Sequence, residues 1–168
     1  MADAALELDD KLGGGPPDGR RSLRLWLRLL TCTALVERRV SARLRETFDT
    51  TLPRFDFLAA LERAGPEGLP LGEVSRSLLI TNGAVTGLAA RLKEDGLIEP
   101  CESADRRFQR VRLSETGARR FAEMAAAHRR WVEALFADLD EAETDRLMTL
   151  LDRAKRSVQS TDPEELIP

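Results

Sequence analysis

Residues 71–96 constrain the fold of this chain most, because their pattern predicts two helices joined by a very short turn. Apolar residues recur at i, i+3 and i+7 in the first helix, and only Leu79 and Ile80 separate it from the second, which starts at Thr81. A turn this short forces a large crossing angle between the helices. The stretch is therefore predicted to be a helix-turn-helix, a unit that reads DNA.

The second helix has a predicted outer face with little side-chain bulk. Successive residues of an α-helix lie about 100° apart around its axis. On this basis, the face opposite the apolar stripe holds small uncharged residues. They are Gly83, Thr86, Gly87 and Ala90, with Asn82 and Arg91 at the edges. Glycine inside a helix costs about 1 kcal/mol relative to alanine. Either something approaches this face closely, or the segment is a weakly formed surface helix.

The start of this helix is open to an anion. Thr81 is the predicted N-cap, and Ala84 stands three residues later, where a capping box would place Glu or Gln. No carboxylate therefore occupies the free N–H groups of the first turn. The positive end of the helix is left available for a phosphate.

Charge is segregated along the chain. The net charge of −3 and the pI near 5.4 argue, taken whole, against a nucleic-acid partner. Residues 1–19, however, hold five acids, residues 20–47 hold eight arginines, and residues 104–120 hold six. Because the local field steers a polyanion, the two basic segments keep DNA as the expected partner.

Two short strands are predicted after the second helix, at residues 97–101 and 108–113. Pro100 restricts the first strand to a sheet edge, and the charged sequence ESADRR joins the two. A charged hairpin directly after a recognition helix predicts a wing. The earlier sequence GPEGLP is expected to be a loop.

A long first helix is predicted from Arg20 to about Phe48, with apolar residues on more than one face. Such a helix must be buried on most sides, which a chain of 168 residues can hardly achieve alone. Two more helices follow Ser114, and the second starts at a capping box of Asp140 and Glu143. We expect these chain ends to form a homodimerisation bundle.

The expected fold is mainly α with a small β-wing. It comprises a winged helix-turn-helix domain at residues 50–117 and a helical dimerisation layer made of residues 20–48 and 118–160. Residues 1–19, which are acidic and rich in Gly and Pro, are expected to be a disordered tail. Pro163 and Pro168 mark a frayed C-terminal end.

Few residues could support catalysis or bind a metal. His128 stands alone in an apolar helical stripe and is interpreted as a core or interface residue. Cys32 and Cys101 are far apart and form no metal knuckle. We expect no enzyme activity, no metal and no cofactor. The most apolar stretch is interrupted by Arg24 and Arg28, so no membrane span is expected, and the expected compartment is the cytoplasm.

The order of the predicted elements, together with the sequences TNGAVTGLAARLKEDGLI and ADRRFQRVRLSETG, resembles the MarR family of winged-helix transcriptional regulators over about residues 20–160. The most specific part is a wing signature, D-x-R followed by L-[ST]-x-x-G. It is present as Asp105, Arg107, Leu113, Ser114 and Gly117. The resemblance implies a regulator that binds a pseudo-palindromic operator as a dimer.

The resemblance also implies roles for individual residues. Arg107 would enter the minor groove while Asp105 holds the wing arginines in place. Asn82, Gly83 and Thr86 would face the major groove, and Arg91 would contact phosphate or brace the wing. The full set of expected DNA-binding residues is Ser75, Arg76, Thr81, Asn82, Gly83, Thr86, Arg91, Asp105, Arg106, Arg107 and Arg110.

A repressor released by a small organic ligand is the function that this resemblance implies. Peroxide sensing would need tyrosines, which this chain lacks, and zinc sensing would need several histidines. An aromatic acid or its CoA thioester is the expected effector. The alternative is a winged-helix module that binds only protein, in which the wing residues Arg106, Arg107, Arg110 and Arg112 would have no purpose.

The expected ligand site combines aromatic surface with positive charge between the dimer layer and the winged domain. Its residues are Trp26, Arg24, Arg28, Phe55, Phe57, Phe121 and Trp131. The alternative interpretation makes most of the aromatic residues core and leaves the arginines solvated or beside DNA.

Overall fold

The computed structural model describes residues 21–101 and 110–162, and within them six α-helices accompany a three-stranded antiparallel sheet. In chain order these are α1 (Arg21–Phe48), α2 (Leu52–Ala64), β1 (Leu69–Pro70), α3 (Leu71–Leu78), α4 (Asn82–Glu94), β2 (Ile98–Cys101), β3 (Arg110–Leu113), α5 (Glu115–Leu135) and α6 (Glu141–Ser160). The mainly α fold with a small β-sheet is confirmed. The described residues divide into two compact units, one ending at Val132 and the other starting at Glu133.

Some sequence predictions lie outside the described residues. They are the acidic tail at residues 1–19, the wing tip with Asp105, Arg106 and Arg107, and the terminal prolines. Among the described helices, none is long and apolar enough to cross a membrane.

The core of the first unit holds the helix-turn-helix against α1, α2 and α5. Its largest fully buried side chains are Phe57, Leu44, Leu58, Leu61, Leu92, Met124, Val74 and Val85. Val85 and Leu92 come from the apolar stripe predicted for α4, so that helix is oriented by burial of its apolar side. The opposite face is thereby turned to solvent.

The turn between α3 and α4 is closed by side-chain and backbone bonds. Leu79 adopts the left-handed conformation, with φ of 55°, and its N–H donates to Ser75 O. The Ser75 hydroxyl donates to Ile80 O at 2.6 Å, and Ile80 N–H donates to Ser75 O at 3.2 Å. These bonds fix the short connection that the sequence predicted.

The predicted GPEGLP loop is wrong in part, because Leu69 and Pro70 form β1 beside β3. The sheet order is β1-β3-β2, so β2 with Pro100 is an edge strand as predicted. Gly68 has φ of +59°, and a Cβ there would lie 2.4 Å from Val111 O. A two-residue strand containing proline carries no periodic signal, and only its distant partner β3 reveals it.

The signature L-S-x-x-G forms the junction between the sheet and α5. The Ser114 hydroxyl donates to Gly96 O at 2.6 Å and accepts from Gly117 N–H at 2.9 Å. Gly117 packs so closely that an added Cβ would lie 1.8 Å from Leu97 O. The Ser114 hydroxyl thus caps the first turn of α5, and the glycine is explained by close backbone approach.

The second unit contains α6, and this helix begins at the capping box that the sequence predicted. Asp140 accepts from Glu143 N–H at 2.8 Å, and the Glu143 carboxylate accepts from Asp140 N–H at 3.0 Å, which completes the capping box. The apolar spacing that continues to Leu139 predicts a longer preceding helix, but that helix ends at Leu135. Apolar side chains on α6 remain exposed, among them Leu147, Met148, Leu150, Leu151 and Val158.

Candidate nucleic-acid interface

The outer face of α4 is exposed and nearly bare. Asn82, Gly83, Thr86 and Arg91 are all exposed, as predicted for a surface that meets a partner. A Cβ built on Gly83 would meet no heavy atom within 4 Å, and the same holds for Gly87. Packing of this chain therefore requires neither glycine. The surface is low enough for another backbone or a base edge to approach closely.

The N-terminus of α4 is capped by a hydroxyl alone. Thr81 Oγ1 accepts from Ala84 N–H at 3.3 Å, which confirms the predicted N-cap. The Thr86 hydroxyl donates to Asn82 O at 2.9 Å, so its proton is used although the residue is exposed. No acidic residue lies in the first turn of α4. An anion at this helix end would therefore meet no like charge from that turn.

The C-terminal end of α4 is tied to α2. Arg54 forms an ion pair with Asp95, the residue that caps α4. Sequence reasoning did not find this pair, because the two residues lie 41 positions apart and neither belongs to a local pattern. The pair fixes the C-terminal end of α4, which is the end opposite the open N-terminus. It therefore limits how α4 can tilt.

Ser75 and Arg76, both predicted to bind DNA, differ in their availability. Ser75 is buried and its hydroxyl is committed to Ile80 O, so a direct contact with DNA is not supported. The role of Ser75 is to close the turn before α4. Arg76 is exposed on α3, with a weak bond from Nε to Gly72 O at 3.4 Å, and can still reach a phosphate.

The arginines on β3, at the base of the wing, form hydrogen bonds and an ion pair within the chain. Arg110 donates from Nε to Glu67 O at 3.0 Å and from its guanidinium to Gly68 O at 2.8 Å. Arg112 pairs with Glu99 across β2 and β3 at 2.8 Å. Both arginines therefore brace the sheet, and the contact of Arg110 with DNA stays a prediction. Asp105, Arg106 and Arg107 lie outside the described residues.

The predicted ligand residues do not form one open site in the described chain. Phe55, Phe57 and Phe121 are buried in the core, where Phe55 packs on Phe121 at 5.5 Å between ring centroids. His128 stacks on Phe55 at 4.6 Å, and burial lowers the pKa of this imidazole below its ordinary value. The core interpretation is therefore correct for these aromatic rings.

The other predicted ligand residues lie at the surface or its edge. Trp26 is exposed, Arg28 is exposed and Arg24 is partly exposed on the first half of α1. Trp131 is partly buried and packs against Phe48, with ring centroids 6.1 Å apart. The first half of α1 thus carries positive charge and an exposed aromatic ring. The buried rings of Phe55, Phe57 and Phe121 do not line an open cleft with them.

A cavity of about 320 Å³ opens elsewhere in the first unit, where the end of α1 meets α2, the end of α4 and the start of α5. Its lining consists of Phe48, Asp49, Thr50, Arg54, Asp95, Leu97, Thr116, Arg120 and Met124. Arg120 lies over the Phe48 ring at 5.2 Å and donates to Phe48 O at 3.1 Å. Arg54 Nε is buried and has no hydrogen-bond partner among the described residues.

The sequence of this chain is similar to a known protein family and to a curated relative. The family model described as MarR family matches residues 48–107. The HTH-type transcriptional repressor IacR of Pseudomonas putida is 30% identical over 111 residues, and the match covers 66% of this chain and 65% of the relative. This chain thus spans somewhat less than two thirds of the length of that curated relative.

Solved structures share the fold over most of the chain. A MarR family transcriptional regulator from Silicibacter pomeroyi superposes with a TM-score of 0.71 at 27% identity, over 86% of this chain and 99% of that chain. A MepR–DNA complex from S. aureus superposes with a TM-score of 0.68 at 19% identity, over 84% of this chain and 99% of that chain. The second similarity concerns the fold alone.

Proposed function

This chain belongs to the MarR family, and on that premise we propose that it is a homodimeric, sequence-specific DNA-binding repressor of transcription. The observation that carries the proposal is the bare outer face of α4, where a Cβ added at Gly83 or Gly87 would meet no heavy atom of another described element within 4 Å. Such a helix face fits the floor of a major groove, which admits an α-helix and presents base edges to it. Asn82 and Arg91 on the same face offer the polar contacts that base edges and phosphates accept.

The alternative of a module that binds only protein is less well supported. The fully buried centre of a protein–protein interface is depleted in charge and enriched in large apolar groups. The outer face of α4 offers polar and very small residues instead, including Asn82, Thr86 and Arg91. This surface suits a polar, charged partner such as DNA.

Binding to operator DNA is expected to depend steeply on salt. If each subunit neutralises about three to five phosphates, log K should fall against log salt with a slope of roughly −5 to −9 for the dimer. Fluorescence anisotropy with the inverted repeat next to the gene measures this slope. Arg107→Ala should make it shallower and weaken binding most at an A·T-rich flank, because a narrow minor groove attracts an inserted arginine. A slope near zero would contradict DNA binding.

Dimerisation is proposed to use apolar surface that the single chain leaves exposed. In the first unit, Leu23, Leu25, Trp26 and Leu30 are exposed on α1, and in the second unit α6 exposes its own apolar residues. Separate exposed apolar side chains are ordinary, but runs of them along helices mark an interaction surface. A second copy of the chain would cover them and place two α4 helices about 10 base pairs apart on the operator.

Leu30→Glu is expected to convert the dimer into a folded or partly unfolded monomer that no longer binds a full operator, because the charge would be buried at the interface. Sedimentation velocity measures the oligomeric state. Arg39→Glu, at an exposed position nine residues further on and so on the opposite side of the same helix, is the matched control and should remain dimeric. A dimer of unchanged affinity in Leu30→Glu would exclude this surface as the interface.

A small organic acid is proposed as the effector that releases the operator, with the cavity near Arg54 as its site. The cavity combines the cations Arg54 and Arg120 and the carboxylates Asp49 and Asp95 with the apolar side chains Phe48, Leu97 and Met124. Its volume of about 320 Å³ suits a single-ring aromatic acid and is small for a CoA thioester. A ligand carboxylate that bound Arg54 would compete with Asp95, and so would loosen the end of α4.

Effector binding is expected to depend on Arg120. Single-ring aromatic acids should dissociate the wild-type complex, and Arg120→Gln should need about tenfold more ligand, since a charged hydrogen bond is lost. Arg119→Gln is the matched control, because Arg119 pairs with Glu115 and does not line the cavity. Equal responses of the two variants would exclude this cavity as the effector site.

A further inference from the structure

Leu79 combines two unfavourable features, an exposed apolar side chain and a positive φ. It is 92% exposed, the highest value among the exposed large hydrophobic side chains. Its φ of 55° places it in the left-handed region, which glycine adopts freely and a branched side chain does not. A glycine would close the same turn without either disadvantage. An exposed residue held in such a conformation points to a role outside the fold.

The position of Leu79 is defined by the turn that holds it. Its N–H donates to Ser75 O, the next residue packs against the core, and the Ser75 hydroxyl fixes Ile80 O. Asn82, the first residue of α4, is three residues further on, so the two Cα atoms are at most about 11 Å apart. Leu79 is therefore presented rigidly near the N-terminus of α4.

The surroundings of Leu79 favour a nucleic-acid partner over a protein. The exposed neighbours Arg76, Ser77, Thr81 and Asn82 are polar, and the apolar residues Leu78 and Ile80 on either side are only partly exposed, so Leu79 is the most exposed apolar group of a largely polar surface. A protein-binding patch would be a contiguous apolar area. The major groove, in contrast, presents one apolar group on its base edges, the C5-methyl group of thymine.

We propose that Leu79 contacts the C5-methyl group of a thymine in each half of the operator, and so contributes to sequence specificity beside α4. This inference rests on the proposed function, because it requires that α4 enters the major groove. It assigns specificity to a turn residue that precedes the recognition helix. The turn conformation, although unfavourable for leucine, keeps the apolar side chain out of the core and available to the base.

Replacing thymine with deoxyuridine, one position at a time, tests the contact because it removes only the methyl group. Wild-type protein should lose about fourfold in affinity at one thymine of each half-site, the effect of one buried methyl group. Leu79→Ala should bind the thymine operator more weakly and should show no further loss with deoxyuridine at that position. Ser77→Ala, at an exposed neighbour, should keep the wild-type dependence on the methyl group.

A second variant separates folding from contact. Leu79→Gly removes the same side chain and also relieves the positive φ, so it should be more stable than wild type yet show the same insensitivity to deoxyuridine. The proposal is overturned if no thymine shows the methyl effect in wild type, or if Leu79→Ala retains it in full. Absence of any duplex binding by wild type would instead contradict the proposed function.

Discussion

Gly117→Ala is expected to lower the free energy of unfolding by about 3 kcal/mol, since the new Cβ would lie 1.8 Å from Leu97 O and 2.8 Å from the Leu97 carbonyl carbon. The obstacle is backbone, so no side-chain rotation can relieve it. That carbonyl also accepts from Ser114 N–H at 3.1 Å, which fixes its position. The junction of α5 with the sheet must shift as a whole.

Chemical denaturation followed by circular dichroism measures this effect. Gly72→Ala is the matched control, because Gly72 also lies in the first turn of a helix and a Cβ there would meet nothing within 4 Å. That substitution should raise the free energy of unfolding by roughly 0.5–1 kcal/mol. If Gly117→Ala were as stable as Gly72→Ala, the close approach of Leu97 and Gly117 would not exist in solution.

Gly83→Ala and Gly87→Ala are expected to stabilise the protein and to weaken its binding to DNA. Each should raise the free energy of unfolding by roughly 0.5–1 kcal/mol, because alanine is the better helix former and its Cβ would meet open space. Each should also reduce operator affinity by about tenfold, because the added methyl group would overpack a close contact with the groove. Opposite signs for folding and for binding are the diagnostic result.

Affinity measured by anisotropy, alongside denaturation of the same samples, resolves the two effects. Gly72→Ala again provides the comparison, since it should gain stability while leaving operator affinity nearly unchanged. If Gly83→Ala and Gly87→Ala bound DNA as wild type does, the bare face of α4 would not be the contact surface. The glycines would then be incidental features of a weak helix, as the sequence alone allowed.

Most helix limits, the caps and the helix-turn-helix could be predicted from the sequence because their causes are local. Apolar spacing in α4, the hydroxyl of Thr81 and the pairing of Asp140 with Glu143 all act within a few residues. The same applies to Ser114, whose hydroxyl accepts from Gly117 N–H three residues away. The family resemblance rested on the order of these elements and on the wing signature, and the comparisons confirm it.

Side-chain partners in the candidate site could not be predicted, because tertiary contacts decide them. Arg110 is basic in the sequence, yet it binds carbonyls 42 and 43 positions away rather than extending from the wing. Ser75 is polar, yet the turn buries it and uses its hydroxyl. Phe55 and Phe57 belong to an aromatic set that was compatible with either a ligand cleft or a core, and packing against α5 decided for the core.

The sequence by itself determined that this chain forms a winged helix-turn-helix, because helix periodicity, caps and glycine positions are properties of neighbouring residues. Only the tertiary structure decided that β1 pairs with β3, that Arg54 holds Asp95, and that Leu79 is exposed with a positive φ. These features join segments far apart in the chain or depend on which side of a turn the core lies. Their free energy comes from contacts that exist only after the chain has folded.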